Sequence, residues 1–320
     1  MTATAELKTP EIKTSLPGVA FKRVLFATDL SAASGNAFSY ATRIAQAYQS
    51  KVWVSHVMPR EGRTSVPLDT LPRDMDAKRL AAEREMERIS DSLAARDITH
   101  RILLERGPVR ETLLSQIERN EIDLLVMGTH GRGGINKLAL GSVAEELLRL
   151  APCPVLTVGP HVPPPTSDFR RILFATDFGP ASCRAVPLVM ALAQMHDAQL
   201  FLLNLVMNIP LASSSVAAYA PAAYAAEEVD DWIAIARRRA AGKLRQLIPP
   251  DAILPHAPEY LVSADFTEEG ILDAARLHQA DLIVMGANHA ASARLAAHIP
   301  WATAHAVLCG AACPVLTIAE

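Results

Sequence analysis

Residues 122–142 read IDLLVMGTHGRGGINKLALGS. The apolar run from Ile122 to Met127 is typical of a strand buried in a parallel sheet. It leads into a glycine-rich loop, and the loop ends at Gly141-Ser142, where the pattern predicts the start of a helix. Glycine lets the backbone approach a ligand closely, and unpaired N–H groups at a helix start favour phosphate. The stretch therefore predicts a strand, a loop and a helix that together cradle the phosphate of a nucleotide.

The spacing of the glycines separates this loop from the common nucleotide-binding loops. It reads Gly128-x2-Gly131-x9-Gly141-Ser142. The chain contains no Gly-x4-Gly-Lys-Ser/Thr, which excludes a P-loop NTPase at the level of the motif. No Gly-x-Gly-x2-Gly follows the first strand of either half, which argues against a dinucleotide-binding Rossmann site. The motif therefore indicates a different class of nucleotide loop.

The chain contains one domain twice. Three blocks recur in the same order: RVLFATD at 23–29 and RILFATD at 171–177, DLLVMG at 123–128 and DLIVMG at 281–286, and CPVLTV at 153–158 and CPVLTI at 313–318. Matched blocks over such a distance indicate duplication of a whole domain. Between the halves lies GPHVPPP at 159–165, whose prolines predict a stiff, non-helical linker.

Within each half, strand patterns alternate with helical patterns. In the first half, strands are predicted at 24–27, 51–58, 102–104, 124–127 and 155–158, and helices at 37–48, 74–96, 109–117 and 143–150. Second-half helices are predicted near 185–194, 226–247 and 269–277. Such alternation predicts a parallel sheet covered on both faces, with ligands bound beyond the carboxyl ends of its strands.

The glycine spacing and the repeated blocks resemble the universal stress protein family over nearly the whole chain. The resemblance implies an α/β fold of two tandem, doubly wound, five-stranded parallel-sheet domains, which is Rossmann-like and of the adenine nucleotide alpha hydrolase-like type. The expected organisation is a disordered tail at 1–18, a first domain with an intact ATP motif at 19–159, a Pro-rich linker at 160–168, and a second domain with a degenerate motif at 169–320.

The resemblance also implies a set of residues that hold ATP. They lie at the ends of the first, second and fourth strands, in the glycine loop, and at the start of the helix that follows it. The residues are Ala27, Asp29, Val57, Met127, Gly128, Thr129, His130, Gly131, Arg132, Gly141, Ser142, Val143 and Ala144. Backbone groups of Val57 are expected at the adenine, and the Gly141-Ser142 turn at the phosphates. Arg132 and Lys137 could add charged contacts to the phosphates. ATP is the expected cofactor, and whether Mg²⁺ accompanies it stays open.

Three of these residues also allow a simpler interpretation. Ser142 begins the sequence Ser-Val-Ala-Glu, a capping box that would stabilise its helix without a ligand. Asp29 could satisfy backbone donors at the start of the first helix. His130 has no carboxylate or Cys nearby in sequence, so it is expected to be a hydrogen-bonded loop residue. No catalytic residue and no metal ligand is assigned.

The second half has lost the glycine motif. His289 stands where the second glycine of the loop would be, and Pro300 lies where the Gly-Ser turn would be. A side chain at each former glycine argues against the same binding mode. We therefore expect one adenine nucleotide in the first half and none, by this mode, in the second.

Composition limits the remaining possibilities. A net charge of −3 gives no electrostatic footprint for nucleic acid, and no apolar run is long enough to span a bilayer. Residues 1–18 lack the apolar core of a signal peptide, so a cytoplasmic location is expected. The expected function is that of an ATP-binding protein with a regulatory or stress-response role, acting on a client that the sequence does not identify. A tandem structural protein without nucleotide and a nucleotidyl-transfer enzyme of the same broad fold are the alternatives.

The last strand of each half predicts how the halves meet. Both strands are short, apolar and alike, and a strand that ends a parallel sheet leaves an edge that needs cover. We therefore expect residues 154–158 and 314–318 to contact each other in an intramolecular pseudo-dimer. Further association into a homodimer stays open.

Overall fold

The computed structural model describes residues 21–31, 34–59, 71–129, 140–206, 222–263, 268–287 and 301–319. The predicted tail at 1–18 and the loop residues His130, Gly131 and Arg132 lie outside these ranges.

Strands and helices alternate through both halves. The first half consists of β1 (Arg23–Ala27), α1 (Ser34–Tyr48), β2 (Lys51–Met58), α2 (Leu71–Ala94), β3 (His100–Arg106), α3 (Val109–Arg119), β4 (Leu124–Gly128), α4 (Ser142–Leu150) and β5 (Val155–Val158). The second half consists of β6 (Arg171–Ala175), α5 (Pro180–His196), β7 (Gln199–Leu205), α6 (Ala222–Leu247), β8 (Glu259–Ser263), α7 (Glu268–Leu277), β9 (Leu282–Ala287), α8 (Trp301–Gly310) and β10 (Val315–Ala319).

The strands form one sheet of ten, in the order β3-β2-β1-β4-β5-β10-β9-β6-β7-β8. Strands within each half are parallel, and only the junction of β5 with β10 is antiparallel. The α/β fold with five parallel strands per half is confirmed. The two predicted sheets are continuous with each other because the edge of one pairs with the edge of the other.

The junction between the halves is nearly symmetric. Leu156 of β5 lies opposite Leu316 of β10. On either side of this pair, the hydroxyl of Thr157 donates to the carbonyl of Val315 at 3.1 Å, and the hydroxyl of Thr317 donates to the carbonyl of Val155 at 3.3 Å. The expected contact between the last strands is therefore confirmed.

Helices cover both faces of the sheet. Side chains alternate between faces along each strand, so that Phe26 packs with α1 and α2 whereas Leu25 packs with α3 and α4. The second half repeats this arrangement, with α5 and α6 on the first face and α7 and α8 on the other. Among the described helices, none combines the length and the apolar character that a membrane crossing requires.

The ends of α1 and α5 meet next to the linker. Tyr48 and His196 occupy the same position in the two repeats, and the Tyr48 hydroxyl and His196 Nε2 form a buried hydrogen bond of 2.9 Å. The linker follows α1 towards this point. Its Val162 carbonyl accepts a hydrogen bond from Asn36, and its Asp168 carboxylate pairs with Arg43 at 2.8 Å. Side chains of α1 therefore fix the course of the linker.

Candidate functional site

The predicted site lies at the switch point of the first half. The chain passes from β1 to β2 and β3 on one side and returns to β4 on the other side. Ala27, at the end of β1, pairs with Ser55 of β2 and with Met127 of β4. The carboxyl ends that carry the predicted residues are therefore adjacent. A crevice at such a point is the usual ligand site of a doubly wound sheet.

A tight turn follows β1. Leu30 has a φ of 61°, which a bulky residue rarely adopts, and its N–H is held by the Thr28 hydroxyl at 3.0 Å. Asp29 Oδ1 accepts hydrogen bonds from the N–H of Ser31 at 3.0 Å and from its hydroxyl at 2.6 Å. Both donors lie in the turn that precedes α1. The carboxylate thus stabilises the turn that places it beside the switch point.

The second half builds the same turn without the glycine motif. Phe178 has a φ of 60°, and Asp177 Oδ1 accepts hydrogen bonds from the N–H of Gly179 at 2.8 Å and from the Ser182 hydroxyl at 2.6 Å. The turn is therefore a property of the fold, and Asp29 alone does not indicate a ligand.

One contributor to the site was not assigned from the sequence. His56, buried near the end of β2, donates from Nδ1 to the Thr28 carbonyl at 2.8 Å. At the same position of the repeat, Asn204 donates to the Thr176 carbonyl, also at 2.8 Å. The signal in the sequence is a polar side chain at the same place in two otherwise apolar strands. The neighbouring predicted residue, Val57, is buried.

The described ends of the glycine loop are joined by hydrogen bonds. The N–H of Thr129, just after β4, donates to the Val158 carbonyl at 3.1 Å. The Thr129 carbonyl in turn accepts from the N–H of Gly141 at 2.9 Å. Met127, Gly128 and Thr129 thus lie close to the start of α4, as the motif predicts for the two sides of a cradle.

The start of α4 differs from the predicted capping box. Gly141 is the N-cap residue, and Ser142 is the exposed first residue of the helix. The capping interpretation of Ser142 is wrong because a residue without a side chain occupies the cap position. The i→i−4 hydrogen bonds of α4 begin with the N–H of Glu145, which donates to the Gly141 carbonyl at 2.9 Å. Within the described part of the chain, no acceptor pairs with the three preceding N–H groups, those of Ser142, Val143 and Ala144.

Among the residues that the structure describes, none requires glycine at position 141. The φ of Gly141 is −65°, and an added Cβ would be 3.5 Å from the Thr129 carbonyl oxygen, an ordinary contact. Gly286, the counterpart of Gly128 in the second half, differs. A Cβ there would be 2.5 Å from the backbone nitrogen of Ser182, so close packing against α5 excludes a side chain. Gly286 is thus explained by packing alone, whereas Gly141 is not.

The two cysteines that precede the last strands, Cys153 and Cys313, are buried. Burial raises the pKa of Cys153 and that of Cys313 to about 12, which keeps both thiols protonated. Among the residues that the structure describes, no three His, Cys, Asp or Glu side chains are grouped so that they could hold a metal ion.

Sequence comparisons connect this arrangement with known proteins. The model of the universal stress protein family matches residues 20–159 and, a second time, residues 168–319. A universal stress protein of Methanocaldococcus jannaschii is 29% identical over 146 residues, which are 43% of this chain and 82% of that protein. Universal stress protein A homolog 1 of Coxiella burnetii is 31% identical over 144 residues, which are 43% of this chain and 96% of that protein.

A solved structure shows the same fold over both halves. A universal stress protein from Archaeoglobus fulgidus matches with a TM-score of 0.64 at 18% identity, and the match covers 93% of this chain and 98% of that one. At this level of identity the likeness concerns the fold alone.

Proposed function

Because the chain belongs to the universal stress protein family, we propose that its first half binds one molecule of ATP and that the protein has a regulatory role in a stress response. Nucleotide binding, not catalysis, is the proposed activity, and its effect would reach a client protein through conformation or contact. The proposed units are a first domain at 19–159 with the intact motif, a linker at 160–168, and a second domain at 169–320 with the degenerate one.

The observation that carries the proposal is the group of three unpaired N–H donors at the start of α4. They belong to Ser142, Val143 and Ala144 and lie next to the carboxyl end of β4. Unpaired N–H groups and the helix dipole together favour a phosphate. Gly141 supports the same conclusion, since close approach of a ligand would explain a glycine that none of the described residues requires.

The other predicted residues take the remaining parts of the nucleotide. In the proposed arrangement the backbone at Ala27 and Val57 faces the adenine, Asp29 and Gly128 lie at the ribose, and Met127 and Thr129 line the wall of the cradle. The proposed set also includes the loop residues His130, Gly131 and Arg132, and Mg²⁺ would be bound through the phosphates. The second half would bind no nucleotide in this way, because His289 stands in place of the second glycine and Pro300 lies where the Gly-Ser turn would be.

Replacing Ser142 by proline gives a direct test. Proline is tolerated at the first position of a helix, where it removes one N–H donor. The preceding residue has φ −65° and ψ 142°, which suit a residue before proline, and α5 begins in the same way with Gly179 and Pro180. A hydrogen bond to a charged group contributes about 1.5–3 kcal/mol. We therefore expect S142P to bind ATP roughly tenfold to a hundredfold more weakly in calorimetric titration.

The control is Ser142→Ala, which removes the hydroxyl and keeps the N–H. We expect a smaller loss, about fivefold or less, equivalent to about 1 kcal/mol, because the proposed phosphate contact is made by the N–H of Ser142 and not by its hydroxyl. Equal affinities for the two variants would refute the N–H cradle. Purified wild-type protein that carries no adenine nucleotide after denaturation, and that gives no heat with ATP, would favour the tandem structural protein instead.

A further inference from the structure

The second half contacts the glycine loop of the first half. Leu140, one residue before Gly141, donates its N–H to Nε2 of His305 on α8 over 3.4 Å. Its side chain is buried and belongs to the hydrophobic cluster that also includes Ala304 and Leu308 of α8. The residue that leads into the proposed phosphate site is thus held by the half that has lost its own motif.

The chemistry of this contact fixes the state of the imidazole. A backbone N–H can only donate, so Nε2 of His305 has to carry a lone pair, and the ring proton resides on Nδ1. Cys309, one turn further along α8, is close to the same N–H. Burial raises the pKa of the Cys309 thiol, and the N–H of Leu140 opposes this rise. Two side chains on one face of α8 therefore surround the Leu140 N–H.

This face of α8 is not a feature that both repeats share. The positions on α4 that correspond to His305 and Cys309 are occupied by Glu145 and Arg149, which form an ion pair with each other at 3.1 Å. Packing of the fold alone therefore does not require a histidine at this position. The asymmetry matches that of the glycine motif, which is intact only in the half that α8 contacts.

We propose that His305 is a positioning residue for the nucleotide site of the first half, and that the second half thereby controls nucleotide binding in the first. The proposal rests on the function proposed above. The Gly141 N–H donates to the Thr129 carbonyl, so Leu140 and Gly141 are both anchored, one to each half. Together these two bonds set where α4 begins and hence where its three unpaired N–H groups lie. Loss of the His305 acceptor frees one anchor and misplaces the donors.

Three substitutions at His305 separate the acceptor from the volume of the ring. Gln places an oxygen near the position of Nε2 and can accept the N–H, whereas Lys can only donate and Leu can do neither. In the full-length chain we expect H305L and H305K to bind ATP about tenfold more weakly, equivalent to about 1.4 kcal/mol, and H305Q to bind as the wild type does. His278→Leu is the control, since His278 is another partly buried second-half histidine and its ring contacts Phe201.

Exchange of the Leu140 amide with deuterium, measured without nucleotide, is the second readout. We expect faster exchange in H305L and H305K and unchanged exchange in H305Q. Rescue by Gln in both measurements would distinguish positioning from a general loss of stability.

If H305L retained wild-type ATP affinity, or H305Q lost as much affinity as H305K, the proposal would be wrong. A wild type that binds no ATP would contradict the function proposed above, and unchanged Leu140 exchange in H305L would independently reject the anchor.

Discussion

At the scale of single residues, Gly141 and Gly286 are glycines for different reasons. The backbone of α5 lies against Gly286 and leaves no room for a side chain, whereas the residues described around Gly141 leave room for one and its backbone conformation allows it. A glycine that close packing explains is required for the stability of the fold. A glycine that packing does not explain is a candidate for contact with a ligand.

Alanine at each position makes this difference measurable. Gly286→Ala should destabilise the protein by about 1–3 kcal/mol, because the methyl group overlaps the backbone of Ser182. Gly141→Ala should change stability by about 1 kcal/mol or less, because alanine restricts the unfolded chain but is a poorer N-cap residue than glycine. We expect ATP affinity to fall only in the second variant, relative to its folded fraction. Thermal unfolding and calorimetric titration of both proteins provide the check, and a G141A destabilised as strongly as G286A would contradict the assignment.

The site residues that the sequence did not predict are those whose partners lie far away along the chain. The glycine spacing located Gly128, Gly141 and Ser142 because the motif is local. Nothing local distinguishes His305, since its partner Leu140 is 165 positions away in the chain. His56 offered a weak signal through the repeat, as Asn204 occupies the same position and makes the same bond. Periodicity reports which side of an element is buried and not which atoms meet there.

At the scale of elements, buried strands were the easiest to predict. β2 extends over Lys51–Met58, as its apolar run indicates, and the order of strands and helices follows the pattern throughout the described chain. β3 at the sheet edge is longer than predicted, because only part of its sequence is apolar. The start of α4 was misassigned by one residue, since a capping box is defined by side chains and this helix is capped by a glycine.

The ends of α1 and α5 form a contact that should respond to pH. Burial lowers the pKa of His196, and the positive charges of Arg170 and Arg43 lower it further, whereas the negative charge of Asp168 opposes this shift. The ring is hydrogen-bonded to the Tyr48 hydroxyl. The unfolded chain therefore takes up a proton at higher pH than the folded protein does. The stability that the neutral ring contributes is complete above about pH 6.5 and is lost as the pH falls below that value.

Replacing His196 by Gln, which can hydrogen-bond to Tyr48 but does not titrate, should reduce this dependence. We expect the melting temperature of the wild type to fall more steeply between about pH 7 and pH 5 than that of H196Q. His256→Gln is the control, because His256 is exposed beside Asp197. Parallel melting curves for wild type and H196Q across this range would show that His196 does not cause acid sensitivity.

At the scale of the whole molecule, the antiparallel junction determines where the two sites lie. β5 and β10 run in opposite directions. The carboxyl ends of the first-half strands therefore point the opposite way from those of the second-half strands in the single sheet. A nucleotide in the first half would therefore lie at the opposite end of the strands from the degenerate switch point of the second. Influence of one half on the other can pass through the shared centre, where β5, β10 and the contact of Leu140 with α8 lie, or through the contact of Tyr48 with His196.

If the strand junction and the buried contact of Tyr48 with His196 hold the halves together, a continuous linker is not needed for their association. A protease site inserted between Thr166 and Ser167, both exposed, would cut the chain between the segments that bind Tyr40 and Arg43. We expect the cut halves to sediment as one particle at micromolar concentration, because the interface includes paired strands with a buried core, like that of an obligate dimer.

The matched variant is Leu316→Ala in the cut protein. Removing a buried leucine side chain costs about 2–5 kcal/mol, and Leu316 lies at the centre of the junction opposite Leu156. Its halves should therefore separate at concentrations where the parent halves remain associated, provided that circular dichroism shows both to be folded. If the cut halves of the parent separate at micromolar concentration, their association depends on the covalent linker and not on the shared sheet.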